Sequence, residues 1–188
     1  MDILNKFINN LCGKFDNSEQ IKDQISAGTI THPKSKHING ICNDKIKNLP
    51  ESFNGYFIIE ESYYENGNFK NTLPHLFLFT LNEDNKVVLT SYEIPSDIKK
   101  EDFRNDNEDL VIDFNTLKKS EKFTPMTYNY NQHSDEFTGE SLSFFTPETK
   151  FLLKETVKNN TMYVSEVFYK NDKITFGFED PIIYKKIK

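Results

Sequence analysis

Three carboxylates interrupt apolar stretches of the chain, two of them side by side. In Tyr56–Tyr64 (YFIIEESYY), an extended backbone alternates its side chains. Tyr56, Ile58, Glu60, Ser62 and Tyr64 then share one face, and Phe57, Ile59, Glu61 and Tyr63 share the other. In TMYVSEVFY, Met162, Val164, Glu166 and Phe168 fall on one face. A carboxylate among apolar neighbours resists ionisation unless a cation or hydrogen-bond donor reaches it. Such a group can donate a proton or anchor a ligand. The opposing expectation is a glutamate paired with Lys or Tyr at a surface, contributing ~0–1 kcal/mol. For Glu166 the alternation predicts an inward position with Val164 and Phe168, and a raised pKa unless Lys, Tyr or His75 reaches it.

Other reactive residues fit no standard arrangement. His32, His37 and Cys42 stand at five-residue spacings that match no zinc pattern, so they read as surface residues of a polar loop and no metal is expected. Seven scattered glycines form no phosphate loop, and no Gly-x-Ser-x-Gly elbow occurs. Cys12 and Cys42 make no disulfide framework and read as free thiols, as expected in the cytoplasm, or in a plastid if the source is an alga. Net charge is -6 and Arg104 is the sole arginine among 23 basic residues, which argues against a nucleic-acid partner. Apolar runs are too short to span a bilayer, so no membrane partner is expected. A monomer or homodimer is expected.

The elements that would position these carboxylates are mostly short strands. Ile3, Leu4, Phe7, Ile8 and Leu11 recur at helical spacing, and a second helix is expected over Asn17–Ala27, ended by Gly28. Residues 29–53 read as an irregular loop. Ten β-like runs follow: Tyr56–Tyr64, Leu73–Leu81, Lys86–Ile94, Leu110–Phe114, Phe123–Tyr130, Phe137–Phe145, Lys150–Val157, Met162–Tyr169, Ile174–Phe178 and Ile182–Ile187. Asn66-Gly67, Asp84-Asn85, Ser134-Asp135, Asn159-Asn160 and Asn171-Asp172 supply the turns between them. One helical turn is expected near Asp97–Phe103. Sequential short strands pair antiparallel, and closing into a barrel removes their edges. The expectation is a single mainly β domain over 1–188, with a helical N-terminus (1–28), a loop (29–53) and a barrel of about ten strands (54–188). A two-sheet sandwich is the alternative.

The order of local signatures resembles the T-type (CpcT/CpeT-like) phycobiliprotein chromophore lyases. Gly13, Phe15, Asn17 and Gln20 match a Gly-x-Phe-x-Asn-x-x-Gln segment, and Glu60-Glu61-Ser62-Tyr63 resembles a Glu-Gln-Ser-Tyr strand. Phe137-Thr138-Gly139 resembles a Phe-x-Gly turn, Tyr163, Ser165 and Glu166 a Tyr-bearing strand, and Gly177 with Tyr184-Lys185-Lys186 the C-terminal pattern. The resemblance implies a calycin- or lipocalin-like barrel that holds a phycobilin, an open-chain tetrapyrrole, and delivers it to a cysteine of a phycobiliprotein acceptor. No other cofactor is required. Glu166 and Glu60 would be the catalytic carboxylates, protonating or hydrogen-bonding the pyrroles, and Tyr63, His75, Tyr163 and Phe168 would contact the ligand. Pro74-His75-Leu76 replaces the family's Pro-Tyr-Arg, its Asp-Arg-Gly segment is absent, and its mid-chain cysteine is replaced near Thr124-Pro125. The alternative is a non-catalytic binding barrel for a flat or apolar small molecule.

Overall fold

A computed structural model describes residues 2–67 and 69–187; Met1, Asn68 and Lys188 lie outside the described residues. The elements run α1 (Ile3–Leu11), β1 (Gly13–Asp16), α2 (Ser18–Ser26), β2 (Lys34–Ile41), β3 (Ile46–Lys47), β4 (Tyr56–Asn66), β5 (Phe69–Leu81), β6 (Val87–Tyr92), β7 (Ile112–Asp113), β8 (Met126–Asn131), β9 (Glu136–Thr146), β10 (Thr149–Lys158), β11 (Thr161–Lys170), β12 (Lys173–Gly177) and β13 (Ile182–Ile187). Neighbouring strands pair antiparallel in the order β10-β9-β8-β6-β5-β4-β2-β1-β13-β11, and β10 pairs with β11 to close the ring. The protein is a closed ten-strand antiparallel barrel with two helices, of the calycin- and lipocalin-like kind. Asn159-Asn160 and Asn171-Asp172 both take positive φ at consecutive positions, the conformation that two-residue hairpins require. Among the described residues, no helix is long and apolar enough to cross a membrane.

The N-terminal third differs from the sequence expectation. Residues 29–53 are not simply a loop, because β2 lies within them and pairs with β4 over eight residues. Closure therefore needs β1 and β2, and residues 54–187 alone do not complete the wall. The inward side chains of β2 are Ser35, His37 and Asn39, all buried and all polar, so the strand shows no apolar alternation to read. Asp97–Phe103 forms successive turns rather than a helix. The Leu110–Phe114 run shortens to β7, which pairs parallel with β3 outside the barrel.

Helix α1 seals one end. Its buried face, Leu4, Phe7, Ile8 and Leu11, enters the core with Ile58, Phe79, Val87, Tyr128, Phe137 and Val157, which come from strands around the ring. The Phe7 ring centroid lies 5.2 Å from Phe79, 4.6 Å from Tyr128 and 5.1 Å from Phe137. A second core on the outer wall of β4 and β5 gathers Phe57, Ile59, Leu76 and Leu78 under Phe103, Leu110 and Ile112 of the long β6–β8 connection. Glu61 fastens that connection: its Oε1 accepts Asn105 N at 2.9 Å and Asn105 Nδ2 at 2.8 Å, and Tyr63 donates to Oε2. Phe7→Ala should lower unfolding free energy by about 3–5 kcal/mol, the usual cost of emptying a buried aromatic site. Urea denaturation checks this, and a loss under 1 kcal/mol would show that α1 does not wedge the barrel.

Candidate functional site

Above the helix-sealed base, the inward positions turn polar. Register places Asn39, Glu60 and His75 abreast on β2, β4 and β5, with His37 beside Ser62 one row higher and Ser35 beside Tyr64 above that. From the opposite wall, β10 contributes Glu155 and β11 contributes Val164 and Glu166. Gly139 faces both Tyr128 and Glu155 across the ladder. A Cβ there would sit 3.0 Å from Met126 and 3.1 Å from the Tyr128 ring. The glycine therefore leaves room for Tyr128, whose hydroxyl donates to Glu155 Oε2.

The three inward carboxylates are balanced differently. His37 Nδ1 stands 3.6 Å from Glu60 Oε2, an ion pair without a formed hydrogen bond. Burial, which alone would lift Glu60, is outweighed by His37, with His75 and Ser62 adding, so its carboxyl lies below the ordinary value. Burial, which alone would lower His37, is outweighed by Glu60 and then by Glu166 and Glu155, so the imidazole lies above its ordinary value. Burial pushes Glu155 up to about 7, against the opposing Tyr128 hydrogen bond. Glu166 accepts a hydrogen bond from Tyr64 Oη at 3.1 Å, across the lumen from β4 to β11. Burial first, then the Glu166 charge, raises the Tyr64 hydroxyl.

Two cavities meet at this cross-lumen pair. One, of about 340 Å³, is lined by Tyr64, Glu166, Tyr184, Ile182, Phe176 and Phe178 among others. The second, of about 190 Å³, shares Tyr64, Glu166 and Phe176 and extends along His75, Phe77, Phe151 and Phe168. The larger cavity forms where β11 changes partner: it pairs with β13 only from Thr161 to Val164, then with β12 from Val167. Gly177 enforces this turn. Its φ is +91°, and a Cβ there would lie 1.7 Å from the Glu166 carbonyl oxygen. Phe178 N donates to that same oxygen at 3.2 Å, which pins the Glu166 backbone.

Of the residues expected in the site, Glu60, His75, Glu166 and Phe168 face the lumen. Val164 and Phe168 accompany Glu166 as the alternation predicts, and the tyrosine that reaches its carboxylate is Tyr64. Tyr63 and Tyr163 are corrections. Tyr63 lies on the strand face opposite Glu60 and Tyr163 on the face opposite Glu166; Tyr63 bonds Glu61 outside the barrel and Tyr163 is 37% exposed. His32, His37 and Cys42 are buried rather than on the surface, because residues 32–42 lie against or within the wall. No group of three His, Cys, Asp or Glu among the described residues could hold a metal ion. Glu155, Tyr64, Tyr128, Tyr184 and His37 belong to the site without having been expected there. Glu155 carries the same signal as Glu166, an inward row with Phe151, Leu153 and Val157, although Lys154 and Thr156 flank it.

No protein family, curated protein or solved structure matches this chain. The lumen itself is what bears on function.

The native state holds the Glu155 proton up to about pH 7, while the unfolded chain releases it near 4.5. Stability should therefore fall by about 3 kcal/mol as pH rises from ~4.5 to ~7, then level with respect to this group. His37, whose pKa is raised, adds stability that is lost as pH climbs through its native value; Glu60 acts in reverse, below its ordinary value. Urea denaturation of the wild type and Glu155→Gln from pH 4.5 to 8 isolates the Glu155 contribution. Parallel profiles would show that Glu155 is not protonated in the native state.

Proposed function

We propose that the barrel binds a flat, extended ligand bearing N–H donors, of the linear tetrapyrrole class, in the lumen opposite α1. The observation that carries this reading is the meeting of two apolar cavities at one carboxylate, Glu166, whose only side-chain partner among the described residues is the Tyr64 hydroxyl. A ligand passing Glu166 would place one limb in each cavity and its N–H groups at the carboxylate. Ring faces are available along the way: His75 and Phe77 stack at 5.4 Å, and Phe151 and Phe168 lie 4.6 Å apart. Glu60, held ionised by His37, is a second acceptor below.

Transfer to an acceptor cysteine is the activity that the lyase resemblance implies. In that step the attacking thiol belongs to the acceptor, while Glu166 or Glu60 protonates or hydrogen-bonds the pyrrole system. The chain's own thiols suit no nucleophilic role: burial pushes Cys12 up to about 11 and Cys42 up to about 12. A binding barrel without transfer is the second reading. It is favoured by the position of Arg104, which is paired with Asp106 on the outer surface and is not among the residues lining either cavity.

Absorption spectra after mixing the protein with phycobilins, biliverdin or haem test the proposal. Narrowed, red-shifted bilin bands are expected. Glu166→Gln should keep the fold and change the bound spectrum. Unchanged spectra with every tetrapyrrole would end this reading.

A further inference from the structure

Among the described residues, those lining the two cavities include no lysine and no arginine, and Glu166 is the sole carboxylate. Two histidines also line them, and neither answers Glu166. His32 is engaged on both ring nitrogens, Nδ1 with Gln24 and Thr31 and Nε2 with the Asp180 carbonyl. His75 stacks on Phe77 and stands abreast of Glu60. Deeper in the barrel, His37 pairs with Glu60 and acts on Glu166 only through its charge, without contact. Glu166 thus faces a largely apolar cavity with a neutral tyrosine as its hydrogen-bond donor.

A second feature borders the same space. Tyr184 is fully buried and lines the larger cavity, and among the described residues its hydroxyl forms no hydrogen bond, with Ser35 and Tyr64 standing beside it. An unpaired buried hydroxyl is costly, and a bound group that bonds to it removes that cost. The Tyr184 ring lies 4.2 Å from the His37 ring at a tilt of 36°, beside the polar layer. A ligand nitrogen with two N–H groups could donate to both Glu166 and the Tyr184 oxygen.

We propose that the occupant enters as a flat cation, a protonated nitrogen base with Glu166 as its counter-ion, and that any negative groups it carries stay outside the barrel. This rests on reading the lumen as a ligand site and adds the charge of the ligand to it. An anion in either cavity would lie against Glu166 with no lysine or arginine lining the space to balance it. The mouth is apolar, with Ile30 64% and Phe176 62% exposed, and suits the uncharged faces of a planar ring system.

Matched dyes separate charge from shape. Fluorescence titration of the intact protein at pH 7.5 with 9-aminoacridine, a cation, and acridine-9-carboxylate, an anion, should give at least tenfold tighter binding of the cation. Glu166→Gln should bring that ratio close to one, and Glu166→Asp should retain most of it. Biliverdin dimethyl ester should bind at least as tightly as biliverdin, because esterification removes the propionate charges. Equal affinities for the two dyes, a preference for the anion, failure of both to bind, or a ratio unmoved by Glu166→Gln would overturn the inference. Bilin binding without charge preference would defeat it while leaving the tetrapyrrole reading intact. Charge-selective acridine binding with no bilin binding would sustain it and end the tetrapyrrole reading.

Discussion

A ten-strand ring is wider than the eight-strand barrels whose interiors side chains can just fill. Something must enter it, and here α1 does so at one end. Phe7 reaches rings on β5, β8 and β9 at once, so the helix acts as a wedge rather than as an ornament on the wall. The interior consequently has a dry end and an end with space. Without the helix, the layer that holds Asn39, Glu60, His37 and Glu155 would lie open to water from both sides, and its electrostatics would be those of a surface.

Within that layer, three glutamates of one chemical type sit in three different states of compensation. Glu60 has an imidazole, Glu155 has a phenol hydroxyl and deep burial, and Glu166 has a phenol hydroxyl and open cavity. The first arrangement keeps a charge, the second favours the neutral acid, and the third leaves the carboxylate facing a cavity. Low dielectric enlarges these differences, so the wedge at the base and the electrostatics of the open end are linked.

The open end owes its shape to a break in the wall. Strand β11 gives up β13 after Val164 and takes β12 as its neighbour, and Gly177 permits the close approach that fastens β12 to the Glu166 backbone. The same few residues thus open a cavity beside the barrel seam and hold the carboxylate that faces it.

The sequence by itself determined most of the short strands after residue 54, their turns, the barrel class, the inward face of Glu166 and the separation of Glu60 from Glu61 onto opposite faces, because alternation and turn chemistry are local. Asn159-Asn160 and Asn171-Asp172 were legible as hairpins for the same reason. Strand β2 was not: its inward residues are Ser35, His37 and Asn39, which look like loop residues until other strands bury them. Glu155 was hidden between Lys154 and Thr156, although its own row was apolar. The resemblance that placed Tyr63 and Tyr163 against a ligand conflicted with strand parity, and parity decided where they lie. Only the tertiary structure could bring Tyr64 of β4 to Glu166 of β11, residues 102 positions apart, and set His37 against Glu60. Partners across a lumen are chosen by closure of the ring, and closure depends on the whole chain rather than on any local pattern.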